Sequence, residues 1–266
     1  MTSAVADVWA HRNALALLVR RDLAVKYQDS VLGYLWSLIE PLAVGGIYWF
    51  VFGVLYHTNK NVPGYPLYLI SGIFAWQWIN SGITEATTAL TGQARLITTM
   101  KVPREVFPFG RVIGRFAEYV AGLPVLVLLA FWFNQISFGW HLLALPLAVL
   151  ISFVFLTGVA LLLSSLNVLL RDISRFMGLV MRVLFYAAPI IYPLTFVQHS
   201  HMPGWLKTAY EANPLVGILQ LFHAVWYPNQ FPSANLLIAS TVGSVVVLLA
   251  GNWVFRRLEP AVLKEL

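Results

Sequence analysis

Four ionisable side chains fall inside long apolar stretches of this 266-residue sequence: Glu40, Glu85, Glu118 and Arg182. At the centre of a bilayer each would cost about 2.5 to 3.5 kcal/mol, so each must face protein, a cavity or an interface. Glu40 and Glu118 lie near the ends of their stretches, where escape to the headgroup layer is cheap. Glu85 is deeper, among Asn80, Ser81, Thr84, Thr87 and Thr88, on a polar face expected to point into a helix bundle. Arg182 is placed to snorkel or to meet an anionic group. This set is too shallow for the ionisable relay that proton-coupled transport needs.

Other chemistry is equally thin. The histidines, His11, His57, His141, His199, His201 and His223, avoid the apolar stretches. His199 and His201 lack a nearby third ligand, so no metal site is expected. No acid, base and nucleophile set is recognisable, and the absence of cysteine removes thiolate and disulfide chemistry. No lysine follows a glycine, so there is no phosphate-binding loop and no cofactor is expected in this chain. If ATP drives its function, a partner must hold ATP and Mg. Aromatic rings are plentiful instead, at 14% of residues. Tyr48, Phe52 and Tyr56 recur at i, i+4 and share a helix face, and Phe185, Tyr186 and Tyr192 populate another stretch. Such rings either pack a bundle or stack on sugars as a sequence-tolerant track for a carbohydrate chain.

The elements that carry these residues follow from composition. The chain is 59% apolar and 11% charged, against about 25% charged in soluble domains, so it is a membrane protein. Six apolar blocks are long enough to cross as helices: 37–56, 67–90, 116–133, 142–163, 176–196 and 236–255. Their continuous apolarity lacks the alternation of a transmembrane β-barrel. The first block begins too late for a cleavable signal peptide. Fourteen of the 17 Lys and Arg residues fall before block one, after the even-numbered blocks, or beyond block six. By the positive-inside rule both termini are expected in the cytoplasm. Topology thus accounts for the net charge of +6, and no nucleic-acid partner is expected.

Three segments lie between or before the blocks. Residues 11–32 carry a helical stripe of Leu15, Leu18, Val19 and Leu23, with Asp22 and Lys26 spaced to pair. They read as an interfacial helix on the cytoplasmic leaflet or as flanking charges that set topology. Residues 92–115 hold Lys101-Val102-Pro103-Arg104-Glu105-Val106-Phe107-Pro108, whose prolines are expected to isolate a short element from its neighbouring helices. It is either a docking piece for a cytoplasmic partner or an ordinary basic loop. Residues 197–235 are too apolar to sit in water, and are expected to form short helices on or within the outer membrane face, broken at Pro214 and Pro228.

The run Ser30-Val31-Leu32-Gly33-Tyr34-Leu35-Trp36-Ser37-Leu38-Ile39-Glu40-Pro41 resembles the amino-terminal signature of ABC-2 type permeases that export O-antigen, capsule and teichoic acid. The likeness continues through Lys101 to Pro108, Asn167-Val168-Leu169-Leu170-Arg171-Asp172 and Asn213-Pro214-Leu215. It covers the chain from about Leu17 onward. The Ala- and Val-rich composition is similar to that of actinobacterial members akin to the mycobacterial galactan exporter.

This resemblance implies an all-α membrane protein with six transmembrane helices, an amino-terminal interfacial helix and short outer gate helices between spans five and six. It implies a homodimer bound to two copies of an ATP-binding subunit, in the plasma (inner) membrane. A coupling helix would fall at residues 93–104, with Arg95, Lys101, Arg104 and Glu105 contacting the ATPase, aided by Arg171 and Asp172. Spans one and five would line the channel, making Tyr48, Phe52, Tyr56, Phe185, Tyr186 and Tyr192 its aromatic lining. The substrate would be a polyprenyl-pyrophosphate-linked glycan whose headgroup meets Arg20, Arg21 and Lys26. An exporter of a drug or small lipid, and a membrane enzyme acting on lipid-linked sugars, are the alternatives. The latter is disfavoured by the lack of a convergent catalytic cluster.

Overall fold

The computed structural model describes residues 10–28, 30–56, 62–99 and 102–265. Lys101, expected at the coupling loop, lies outside the described residues. The described chain is helical with no strand, as required where each backbone group must be satisfied without water. Helix α1 (Arg12–Tyr27) precedes a 3-10 turn at Gly33–Leu35 and α2 (Trp36–Tyr48). Without interruption α2 becomes π-helical over Trp49–Leu55, closed by Tyr56 N donating to Val51 O at 3.0 Å. Then follow α3 (Tyr65–Thr87), two short helices α4 (Ala89–Gly92) and α5 (Ala94–Thr99), and α6 (Val106–Trp132). The second half holds α7 (Ala144–Leu169), α8 (Asp172–Ala187), the short α9 (Leu194–Gln198), α10 (Gly204–Glu211) and α11 (Pro214–Ala224), and α12 (Ala234–Glu265).

Among the described residues four helical segments are long and apolar enough to cross a membrane: Gly33–Leu55, Val106–Trp132, Trp140–Leu169 and Ala234–Glu265. The other two expected spans differ in kind. α3 has 23 residues but carries the polar Asn80 to Thr87 face and is largely buried at the centre of the bundle. α8 stops after 16 residues, at Ala187, rather than continuing to Phe196. Ala188 turns extended and Pro189 follows, and a proline there disfavours helix in the residue before it. The element expected between Pro103 and Pro108 does not form separately. Instead α6 starts at Val106 and includes Pro108 in its first turn, where a missing N–H costs nothing.

The packing centres on α3, which touches α2, α6, α7, α8 and α11. Trp78 is its hub: 1% exposed, ringed by Phe116, Tyr119, Phe153 and Phe222, with Nε1 donating to Val112 O at 3.2 Å. A smaller core at the basic end joins Leu15 and Leu18 of α1 to Val106 and Phe107 of α6, Val168 of α7 and Phe255 and Val262 of α12. The most extensive pairing is α7 with α12. There Gly158 and Gly251 bring the two backbones together, and a Cβ at Gly158 would stand 2.5 Å from Leu248 Cα. Small residues at such crossings are how apolar helices gain packing energy where burial from water is not available.

Gly251→Val would drive a side chain into the Gly158 carbonyl, an overpacking cost of about 1 to 3 kcal/mol or more. The expected result is a lower melting temperature in detergent micelles, while Gly46→Ala, at a position with open space around it, should melt like the parent.

Candidate functional site

Three groups of residues gather what the sequence scattered. The first is aromatic. Along α2 and its π-helical extension Tyr48 stacks on Phe52 with centroids 6.0 Å apart, and Phe52 meets Tyr56 at 6.1 Å. Across to α8, Tyr48 contacts Phe185 at 5.5 Å, and its hydroxyl lies 3.0 Å from that of Tyr186. Tyr192, past the end of α8, donates its hydroxyl to the Tyr186 carbonyl at 2.9 Å. Five rings therefore form one continuous band joining α2 to α8, and Tyr192 is tied to it through the Tyr186 carbonyl. Tyr56 and Tyr186 are exposed, at 71% and 60%, so one face of the band is open.

The second group is charged and lies along the first half of α6. Arg115, only 3% exposed, pairs with Glu85 of α3 at 2.8 Å and also with Glu118. Glu118 accepts from Lys26 Nζ at 3.0 Å and from the Tyr27 hydroxyl at 2.6 Å. Burial, and then the bond to Glu118, hold the Tyr27 phenol well above its ordinary pKa, so it stays a donor. Asp22 is reached by Arg21 at 2.7 Å, Arg111 at 3.4 Å and Gln93 at 3.3 Å. The pairing expected between Asp22 and Lys26 is thus replaced by contacts to α6. α1 runs beside the first turns of α6, with Leu15 against Gly110 and Lys26 at Glu118. Glu118 does not escape to an interface but is the hub of the network. Its partners 91 and 92 residues away leave no local spacing to read, although the Arg115 to Glu118 interval was available.

A cavity of about 460 Å³ opens beside this network, lined by Arg21, Lys26, Arg95, Arg111 and Arg115 with Asp22 and Glu85. Cations outnumber carboxylates there. Arg20 is exposed on α1, and Arg95 on α5.

Among the residues expected to meet an ATPase, Arg104 is committed to Glu259 of α12 at 2.5 Å. Glu105 stands at the start of α6. Asp172 is 93% exposed, with Arg175 3.8 Å away. Arg171 lines a second cavity, of about 430 Å³, with Thr88, Thr91, Ala94, Asn167, Ser174 and Glu265. The two loops singled out by sequence therefore meet around one opening. Asn167 fixes this corner by accepting from Ser174 N in the first turn of α8 at 3.1 Å.

The third group lies at the opposite end, where residues 188–193 run as non-helical, mostly buried backbone. Tyr65 donates to the Ile191 carbonyl at 2.8 Å, and Tyr68 to that of Tyr192 at 3.1 Å. His223 Nε2 lies 3.1 Å from Pro189 O, and because a carbonyl only accepts, this nitrogen carries the proton. The Tyr68 and His223 rings stack 3.8 Å apart. α11, which presents His223, is started by Asn213 accepting from Leu215 N at 3.1 Å with Pro214 at the first position. Sequence reading notes the Asn-Pro pair, places His223 outside the apolar stretches with no role, and passes over Tyr68, whereas His223 is fully buried in an apolar helix.

Comparison with known proteins adds an independent line. A model of the ABC-2 type transporter family matches residues 13–227. The O-antigen export system permease protein RfbA of Myxococcus xanthus is 28% identical over 255 residues, 96% of each chain. The protein of the same name from Klebsiella pneumoniae is 28% identical over 248 residues, 92% of each chain. The polysialic acid transport protein KpsM of Escherichia coli is 22% identical over 250 residues, 92% of this chain and 93% of its own.

The charge network predicts unequal effects of removing its members. Glu118→Ala strands the buried Arg115 with Glu85 alone and should cost about 3 kcal/mol, whereas Lys26→Met, at a position 38% exposed, should cost under about 1 kcal/mol. Tryptophan-fluorescence unfolding in micelles measures both.

Proposed function

This chain belongs to the family of ABC-2 type transporters, and from that premise we infer that it is the permease subunit of a polysaccharide exporter, working as a homodimer with two copies of an ATP-binding subunit. Both termini face the cytoplasm, and the substrate is a glycan carried on a polyprenyl pyrophosphate. Galactan falls in the same substrate class as the O-antigen and polysialic acid named for the relatives.

The observation that carries this reading is the aromatic band between α2 and α8. Rings with one open face offer stacking to sugar after sugar without demanding one hydrogen-bond pattern, which suits a long polymer that must slide. An open Tyr48 to Tyr192 band facing its copy across a dimer axis would make an aromatic-walled conduit. At the cytoplasmic end the pyrophosphate would settle in the cavity beside α1, drawn by Arg20 and Arg21 and flanked by Arg95 and Arg111. Lys26 contributes mainly through Glu118, which already holds it. Charge steering of this kind raises the local concentration of an anionic headgroup.

ATP binding on the partner would shift the short helices α4 and α5 together with the Arg171 corner, and α2 and α8 would part to admit the chain. No bond in the substrate changes. The permease orients and encloses the glycan, and the hydrolysis belongs to the other subunit.

Loss of the protein should leave lipid-linked glycan accumulated on the cytoplasmic leaflet, read by protease-free labelling of the glycan in sealed and opened membrane vesicles. In a reconstituted complex Tyr48→Ala with Phe52→Ala should cut glycan flux several-fold without loss of the ATPase, and unchanged flux would assign those rings to packing. Arg95→Glu should raise the concentration of lipid-linked glycan needed for half-maximal ATPase stimulation, and an unaltered value would remove Arg95 from the headgroup seat.

A further inference from the structure

α12 is the longest described helix, with 32 residues, and it touches both ends of the molecule. Near its C-terminus Glu259 holds Arg104, a residue 155 positions earlier, in the loop that leads into α6. Phe255 and Val262, each 2% exposed, bury themselves beside Val106 and Phe107 of that same region. Near its N-terminus α12 receives α11. A Cβ at Gly243 would lie 2.6 Å from Pro214 Cγ, and a Cβ at Gly217 would collide with Ser240. α11 in turn carries His223, which holds the non-helical backbone at Pro189. Along its middle α12 is locked to α7 at Gly158 and Gly251, and it runs as one helix from Ala234 to Glu265 with Pro260 in its last turns.

The Glu259 and Arg104 side chains are 34% and 29% exposed. A pair this open to water contributes little to folding. What it does provide is a directional tie between a loop and a distant helix.

We propose that Glu259 is a positioning residue for transport: through Arg104 it fastens the loop before α6 to α12, and α12 conveys the displacement of that loop to α11 and the 188–193 backbone at the far end. This rests on the reading of the chain as an ATP-driven exporter. The mechanism needs no contact between Glu259 and glycan or nucleotide. It also explains why α12 extends well past the hydrophobic thickness of a bilayer, since about 20 residues suffice to span it.

The absence of native cysteine makes the test direct. Trp205, 72% exposed on α10, is replaced by Cys as the permease's sole thiol, and the complex with its ATP-binding subunit is placed in nanodiscs. The rate of modification by a charged maleimide is measured with and without a non-hydrolysable ATP analogue. With the Arg104 to Glu259 pair intact the analogue should change the rate several-fold. Glu259→Gln should abolish that response while the ATPase still co-purifies, and the exchange of Arg104→Glu with Glu259→Arg should restore at least half of it. A full response in Glu259→Gln, no response in the parent complex, or no recovery in the exchanged pair overturns the proposal. Loss of the ATPase from Glu259→Gln alone would make Glu259 a docking residue and overturn it as well. Failure of any ATP-binding subunit to co-purify with the parent instead overturns the exporter reading on which the proposal rests.

Discussion

A peptide carbonyl that leaves its helix inside a membrane protein has no water to accept from, and the arrangement at residues 188–193 depends on meeting that demand. Each unsatisfied group there would cost several kcal/mol. The carbonyls of Pro189, Ile191 and Tyr192 are answered by His223, Tyr65 and Tyr68. Those donors come from α3 and α11, so α3 must be central and α11 must be drawn into the bundle. The break after Ala187 in turn lets α8 end early and brings Tyr192 back under Tyr186, completing the aromatic band. One local failure of helix thus organises the far half of the fold.

The opposite end solves a different problem, that of placing charge next to apolar helices. Arg115 is nearly buried, and its two carboxylate partners come from α3 and from its own helix. Glu118 is shared with Lys26 and Tyr27, so the amino-terminal helix is fastened by the same carboxylate that neutralises the buried arginine. Removing either helix from this arrangement would leave an uncompensated ion, which is costlier than never having formed the pair. The cationic surplus is left facing the cavity beside Arg95 and Arg111.

Much of this was legible from local pattern. Apolar length located the long helices, the Leu15 and Leu18 stripe gave the buried face of α1, and i, i+4 spacing put Tyr48, Phe52 and Tyr56 on one face. Asn213-Pro214 signalled a helix start because an amide side chain and a proline serve the first turn regardless of tertiary context. What escaped was non-local or depended on exact position. Glu118 resembled a peripheral carboxylate because its partners lie far away in sequence. Pro108 looked like a helix stop, since a proline's effect reverses between the interior of a helix and its first turn. Tyr68 and His223 carried no signal: a buried stack between two helices has no sequence period. The short α8 was hidden because Pro189 sits inside a run that remains apolar to Phe196.

The π-helical stretch in the first long segment has a bearing on how that segment ages and adapts. Seven residues, Trp49–Leu55, are wound with more chain per turn than an α-helix holds. This is stored slack: the coil can tighten or loosen there, turning the rings of Phe52 and Tyr56 about the axis, while Pro41 and its neighbours below keep their seats. In evolutionary terms the same slack would absorb the gain or loss of a residue within Trp49–Leu55 without shifting the register of the helix below it.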